Sequence, residues 1–347
     1  MEQRPPNVPI RIALDAMGGD DGPPAVVAGA VLAAQADSGV AIVLVGDEAR
    51  IRAELSKHPP SPRLTIRHAP TAVGMDESPS FVVRRRRDSS IWRATELVKS
   101  GEADAVVSAG HTGASMATAF VLLGTLPGVE RPAIATILPT LKGIAVLLDV
   151  GANVDSKPQH LVQFALMGHV YAQRMLAVTA PRVGLLSIGE EDTKGNELTK
   201  ETFKRLKHTP INFIGNVEGR DVYTGNADVI VCDGFIGNVA LKISEGLAEA
   251  IMQVLRREIG RSVLGGLGFW LLKPAFRRFK RQVDYAEYGG APLLGINGVS
   301  IICHGRSSPK AMKNAIRVAR DFVAGDVNRH IRHDIERHVE PRLGAET

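Results

Sequence analysis

Short apolar runs punctuate the whole chain: IRIALD (10–15), VAIVLV (40–45), DAVVS (104–108), IAVLLD (144–149), RVGLLS (182–187), DVIVC (228–232) and GVSIIC (298–303). Weaker runs at 63–68, 133–138 and 211–214 have the same length. Each is too short for a helix of ordinary size and too uniformly apolar for a strand with one wet face. They read as strands buried on both sides, which parallel sheets require. Between them, segments at 23–36, 47–57, 88–100, 112–124, 158–175, 197–208, 236–259 and 309–324 have helical length and patterning. Strands alternating with helices predict βαβ crossovers and a mostly parallel sheet. There is no internal repeat. Residues 1–9 and 326–347 read as tails around one domain spanning 10–325.

Composition supports that class. Apolar residues are 44% of the 347 and aromatics only 5%, the balance of an aliphatic core rather than a disordered chain. The net charge of +5 permits an acidic partner or an anionic membrane without requiring either. Cys232 and Cys303 stand far apart with no CxxC pair, so neither a disulfide nor a cysteine metal site is expected. The start, MEQRPPNVP, lacks the apolar core of a secretion signal, and no run is long enough to span a bilayer. A cytoplasmic setting is expected.

In open parallel sheets chemistry collects where strands end and helices begin. Five glycine-bearing segments sit at such exits: DAMGGDDGPP (15–24), SAGHTGAS (108–115), DVGANVDSKP (149–158), SIGEEDTKGNE (187–197) and CDGFIGN (232–238). Together they predict one crevice for an anion or a phosphoryl group. In SAGHTGAS, Gly110 and Gly113 free the backbone before a helix whose N-terminus attracts anions, with His111, Thr112 and Ser115 beside them. The alternative is an ordinary turn capped by Thr112. It is not a Walker loop, and MGGDDGPP, with Gly18 and Gly19, is not a dinucleotide fingerprint. Asp15, Asp20 and Asp21 fit helix capping better than a metal. Gly237 and Asn238 open a long helix, where Asn238 either caps or offers its amide to a developing oxyanion. Cys232 has no base nearby and reads as a buried thiol. His111, His160, His169 and His304 lack metal-ligand spacing and read as structural or surface residues.

Lys194 lies among Glu190, Glu191, Asp192 and Glu197. Carboxylates so placed hold an ammonium charged unless they point elsewhere. It is either a surface lysine or one that reaches into the crevice. The run RRRRD (84–88) is a solvated face, or a site for phosphate or an acidic carrier protein; without interleaved aromatics it does not indicate nucleic acid. In 260–284, Phe269, Leu272, Phe276, Phe279 and Val283 fall within a sector of about 80°, with Lys273, Arg277, Arg278, Lys280 and Arg281 elsewhere. Such a segment, with Trp270 at its apolar tip, lies on a membrane or docks on a core or dimer partner.

The strings IALDAMGGDDGP, ADAVVSAGHTGA, LLDVGANVDSKPQHLVQFALMG, GLLSIGEEDTKGNELTKE, CDGFIGNVALKISEG and DYAEYGGAPLLGINGVSIICHG occur in this order. Over about 10–325 the chain closely resembles the bacterial phosphate acyltransferases of phospholipid synthesis, the PlsX-type enzymes. The resemblance implies an α/β/α sandwich akin to phosphotransacetylases and isopropylmalate-type dehydrogenases, plus a helical protrusion at 260–284. It implies reversible transfer of a fatty acyl group from acyl-acyl-carrier-protein to inorganic phosphate, whose acyl phosphate product feeds a membrane glycerol-3-phosphate acyltransferase. It further implies a homodimer, no organic cofactor, and peripheral attachment to the membrane, expected through Phe269, Trp270, Leu272, Phe276 and Phe279; the residues themselves lead us to expect no metal. The family's proposed catalytic pair falls on Lys194 and Asn238, with phosphate expected near Gly18, Gly19, Gly110, His111, Thr112, Gly113 and Gly237. One departure stands out: His111 replaces the usual Asn of SAGNTGA. The rival readings are a decarboxylating dehydrogenase, an acyltransferase using coenzyme A thioesters, and a membrane-surface scaffold without activity.

Overall fold

The computed structural model describes residues 8–260, 271–274 and 285–339. Eleven strands form one sheet: β1 (Ile10–Asp15), β2 (Val40–Gly46), β3 (Leu64–His68), β4 (Ala105–Ser108), β5 (Ala133–Thr140), β6 (Gly143–Leu148), β7 (Val183–Leu186), β8 (Phe213–Val217), β9 (Val229–Val231), β10 (Ala291–Leu294) and β11 (Ser300–Ile302). Their spatial order is β3-β2-β1-β4-β11-β10-β5-β6-β9-β7-β8. Successive side chains alternate between two cores, as the pleat demands. Ile12, Leu14, Ala105, Val107, Val146 and Leu148 pack with helices α1 (Pro23–Ala36) and α6 (Pro158–Met175). Ala13, Val106, Ala145 and Leu147 face the other way. There they meet α4 (Ser90–Lys99) and α5 (Thr112–Leu123), while Leu241 of α8 (Gly234–Gly260) packs at the edge. The result is the expected α/β/α sandwich.

One feature overturns the expectation of a single crevice. β1, β4 and β11 are mutually parallel, as are β6, β9 and β7. Between these groups β11–β10, β10–β5 and β5–β6 are all antiparallel. Three reversals leave β6 running opposite to β4. Segments 15–24 and 108–115 therefore leave one edge of the sheet, and 149–158, 187–197 and 232–238 leave the other. The five loops form two groups.

Three further elements differ from expectation. Residues 327–339 are no tail: the helix Val327–Val339 buries Val327, Ile331 and Ile335, one apolar residue per turn, in the main core. The basic run belongs partly to α3 (Pro79–Arg85), started by Ser78, whose side chain accepts from the Phe81 amide, and by Pro79 at N1. β10 was not expected at all. Of the membrane-contact residues, Phe269, Trp270, Phe276 and Phe279 lie outside the described residues. Leu271 and Leu272 are described, in a helical turn at 271–274, and both are exposed.

Candidate active site

At the first edge, two loops touch backbone to backbone. A Cβ on Gly18 would stand 2.6 Å from the Gly110 nitrogen, so only glycine permits this approach. Beneath them Asp15 is buried. Its Oδ2 accepts from Ser108 Oγ at 2.7 Å and its Oδ1 from the Met17 amide at 3.2 Å. Burial pushes its carboxyl above the usual range, against opposing hydrogen bonds from Ser90, Ser108, Met17 and Gly18. Gly110 N–H donates to Ser108 Oγ at 3.1 Å. The Ser108–Asp15 hydrogen bond thus ties the two loops together, while the amides of Gly18 and Gly110 are engaged within their own loops. Among the described residues, no protein acceptor takes the amides of Thr112 and Gly113, the first two of α5. These two, with the helix dipole behind them, are the donors left to an anion.

His111, not Thr112, caps α5: its Nδ1 accepts from the Ala114 amide at 3.1 Å. An Asn oxygen at this position would accept from the same helical turn, so the departure from SAGNTGA preserves the cap. We expect His111→Ala to lower stability by about 1 kcal/mol and His111→Asn by a few tenths at most. Thermal denaturation of the two variants checks this; equal losses would mean the cap carries no stability.

Two further segments wall this edge, neither of them among the five glycine-bearing exits. Asp20 N–H donates to the Gly305 carbonyl at 2.8 Å, bringing the HGRS turn (304–307) alongside. A Cβ on Gly113 would meet Pro79 Cγ at 2.8 Å, so α3 leans on the start of α5. Val73, Ser90 and Ile91 complete a narrow cleft with Asp15, Gly18, Gly110 and His111. Asp15 points into this cleft while Asp20 approaches Arg306, so the carboxylates of 15–21 diverge.

At the second edge the organiser is Asp149, fully buried. It accepts from the amides of Ile134, Ala152 and Asn153 and from Asn153 Nδ2, at 2.7–3.0 Å. The backbone there leaves no room for a side chain at Gly234 or Gly237 of α8: a Cβ on Gly237 would lie 1.8 Å from the Asp149 carbonyl oxygen. Asp233 caps α8 by accepting from Phe235 and Ile236, both at 3.0 Å. Asn238 is therefore free of capping duty. It is exposed beside Gly151, where a Cβ would sit 3.6 Å from Asn238 Cγ. Cys232 is buried, and burial pushes its thiol well up, which fits a structural thiol rather than a nucleophile.

Lys194 hangs from the same edge, exposed on the loop before α7 (Glu197–Leu206). Two of its four carboxylate neighbours are engaged elsewhere: Glu190 pairs with Arg220 at 3.3 Å and Asp192 with Lys207 at 2.5 Å. The helix cap is Asn196, which accepts from the Thr199 amide at 2.9 Å. Among the described residues no carboxylate lies within ion-pair distance of the Lys194 ammonium.

With this geometry established, the relatives are informative. A family profile described as fatty acid synthesis protein matches residues 10–330. The chain is 54% identical over 327 residues to the phosphate acyltransferase of Pelotomaculum thermopropionicum, covering 94% of this chain and 95% of that one. It is 55% identical over 328 residues to the phosphate acyltransferase of Geobacter sulfurreducens, covering 94% of each. The chain belongs to the phosphate acyltransferase family. It is an acyltransferase of lipid synthesis that transfers an acyl group to phosphate. Among solved structures, a phosphotransacetylase from Streptococcus pyogenes superposes with a TM-score of 0.62 at 18% identity, over 91% of this chain and 94% of that one. The EutD phosphotransacetylase of Staphylococcus aureus gives 0.60 at 18%, over 92% and 94%. At such identity the likeness establishes the fold. Among the described residues no helix is long and apolar enough to cross a membrane.

Proposed function

We propose that this enzyme takes its acyl group from an acyl carrier protein and gives it to inorganic phosphate, as a homodimer at the cytoplasmic face of the membrane. The observation that carries the reading is the identity of more than half, across 94% of the chain, to phosphate acyltransferases. Orthophosphate is already anionic at neutral pH and needs no general base. What it needs is a holder beside a thioester carbonyl, and placement of two reactants can supply roughly 7–11 kcal/mol of a barrier at best.

The open amides of Thr112 and Gly113, with the loops of Gly18, Gly19, Gly110 and His111, suit the holding. A phosphate oxygen adds to the thioester carbon, and the carbonyl oxygen becomes an oxyanion. The Asn238 amide, placed by Gly237, stabilises that charge, a contribution of about 3 kcal/mol for one donor. Collapse breaks the C–S bond, and the Lys194 ammonium neutralises or protonates the departing thiolate. The products are acyl phosphate, which a membrane glycerol-3-phosphate acyltransferase consumes, and free carrier thiol. Phosphate-dependent release of that thiol from a long-chain acyl carrier protein, with the acyl phosphate trapped as hydroxamate, tests the reading. Absence of release, or equal turnover with the acyl-coenzyme A thioester, would count against it.

The basic run supports a carrier as donor. Arg84, Arg85 and Arg87 are exposed on and just after α3, whose Pro79 leans on Gly113. Arg86 is held by Glu77 at 2.9 Å, and Phe81 and Met75 stand exposed nearby. A cationic platform with apolar anchors beside the anion-holding turn suits an acidic carrier. Reversing Arg84, Arg85 and Arg87 to Glu is expected to raise KM for the acyl carrier protein at least tenfold. KM for phosphate should stay unchanged. An unaltered carrier KM would remove α3 from the docking surface. Peripheral attachment is assigned to Phe269, Trp270, Leu272, Phe276 and Phe279. Unchanged flotation with anionic liposomes after Phe276→Glu and Phe279→Glu would reject it.

A further inference from the structure

Phosphate and thioester chemistry must meet within a few ångströms, yet the groups assigned to them leave opposite edges of one sheet. From β4 to β6 there are four strand spacings, to β9 five and to β7 six. At about 4.8 Å each, the strands behind Thr112 and Lys194 are roughly 29 Å apart before the opposed loop directions are added. A donor must come within about 3 Å of the oxygen it serves. The helices repeat the split: α5 and α8 contribute to the same apolar cluster but start from opposite edges, so their N-termini point apart. A Lys side chain cannot close such a gap within one chain.

A second observation says what closes it. Beyond Asn238, α8 exposes Ile236, Ile243, Leu247, Ile251 and Val254, which are 41%, 64%, 59%, 47% and 48% accessible. At 100° per residue these five fall within about 80° of one another, a continuous apolar stripe along the helix. A stripe of this size, with Phe235 and Val239 also exposed on the same helix, marks an interface. It begins at the turn that carries Asn238. Whatever covers it lies against the second edge, and what that edge lacks is the Thr112–Gly113 turn, which a second copy of this chain carries. A two-fold pairing meets both needs at once, because it completes two sites symmetrically.

We propose that each active site is composite: the Gly18, Gly110 and Thr112–Gly113 turn of one protomer faces Lys194 and Asn238 of its partner, across an interface built on the α8 stripe. The proposal rests on the acyl transfer reading for its chemistry but not for its geometry.

Two experiments test it. Thr112→Glu places a carboxylate at the helix N-terminus, which the helix tolerates and phosphate does not. Lys194→Ala removes the cation at the other edge. Each homodimer is expected to be inactive. Heterodimers of the two, isolated through different tags, should recover about half of the wild-type rate, since one of their two sites draws an intact half from each chain. Heterodimers as inactive as the parents would overturn the proposal, because single-chain sites cannot complement.

Independently of activity, Thr112→Cys and Lys194→Cys are introduced on separate protomers and treated with a short bismaleimide. The native thiols, Cys232 and Cys303, are buried. A covalent dimer is expected from the mixture and not from either variant alone. No cross-link in the mixture, or full activity in a monomer produced by Ile243→Glu and Leu247→Glu, would equally overturn the pairing. If the wild type makes no acyl phosphate, the acyl transfer reading falls while the cross-link still decides the geometry.

Discussion

Lys194→Ala is expected to lose acyl phosphate formation by at least a hundredfold while the protein keeps its fold. The side chain is exposed, and among the described residues no carboxylate pairs with it, so its removal strands no buried partner. A surface change of that kind moves stability by about 0.5 kcal/mol at most, a shift of one or two degrees in Tm. The effect on rate has a different origin. Phosphate brings one or two negative charges to the site; on addition one of them moves to the carbonyl oxygen of the tetrahedral adduct, and on collapse it leaves with the thiolate. One well-placed charged group at a developing anion is worth about 3–4 kcal/mol, or 10²–10³ in turnover. The loss should therefore appear in kcat. Lys194→Arg keeps the charge but replaces a compact donor with a planar fork, and is expected to recover only part of the rate. Near-normal turnover by the alanine variant, with Tm unchanged, would remove Lys194 from the chemistry.

That a lone lysine among four carboxylates is available at all was only half legible in the sequence. Its spacing could not say where Glu190 and Asp192 point. Their partners Arg220 and Lys207 lie many residues downstream and are brought in by β8 and α7. The strands were legible because burial on both faces leaves continuous apolar runs. β10 carries little strand signal because APLL is short, contains proline and lies among glycines. The helices at Pro79–Arg85 and Val327–Val339 carried usable signals, Ser-Pro at the start of one and apolar residues every fourth position in the other, which the surrounding charges obscured. The reversal of the sheet was legible too. β5 and β6 are joined by Leu141 and Lys142 alone, and strands so connected must pair antiparallel. Strand–helix alternation elsewhere made a uniformly parallel sheet the simpler expectation. That one hairpin decides which loops can share a ligand within a chain.

Gly237→Ala tests the other half of the site through its packing. The added methyl would lie 1.8 Å from the Asp149 carbonyl oxygen, 2.9 Å from its carbon and 2.9 Å from Cys232 Sγ. No rotamer change relieves this, because two of the three contacts are backbone. Either α8 lifts from the loop or the loop moves, and the loop is anchored by the four hydrogen bonds that the Asp149 carboxylate accepts. Overpacking of a rigid contact costs about 1–3 kcal/mol, occasionally more, and this one belongs at the upper end, lowering Tm by several degrees. The rate should suffer more than the stability. Asn238 is the next residue, and a shift of about 1 Å in a positioning element can cost a hundredfold. Gly219→Ala is the matched control: nothing lies within 4 Å of a Cβ built there, so Tm and turnover should stay near wild type. If Gly237→Ala instead matched the control in both measurements, the first turn of α8 would not be held against Asp149, and the placement of Asn238 at the second edge would have no structural support.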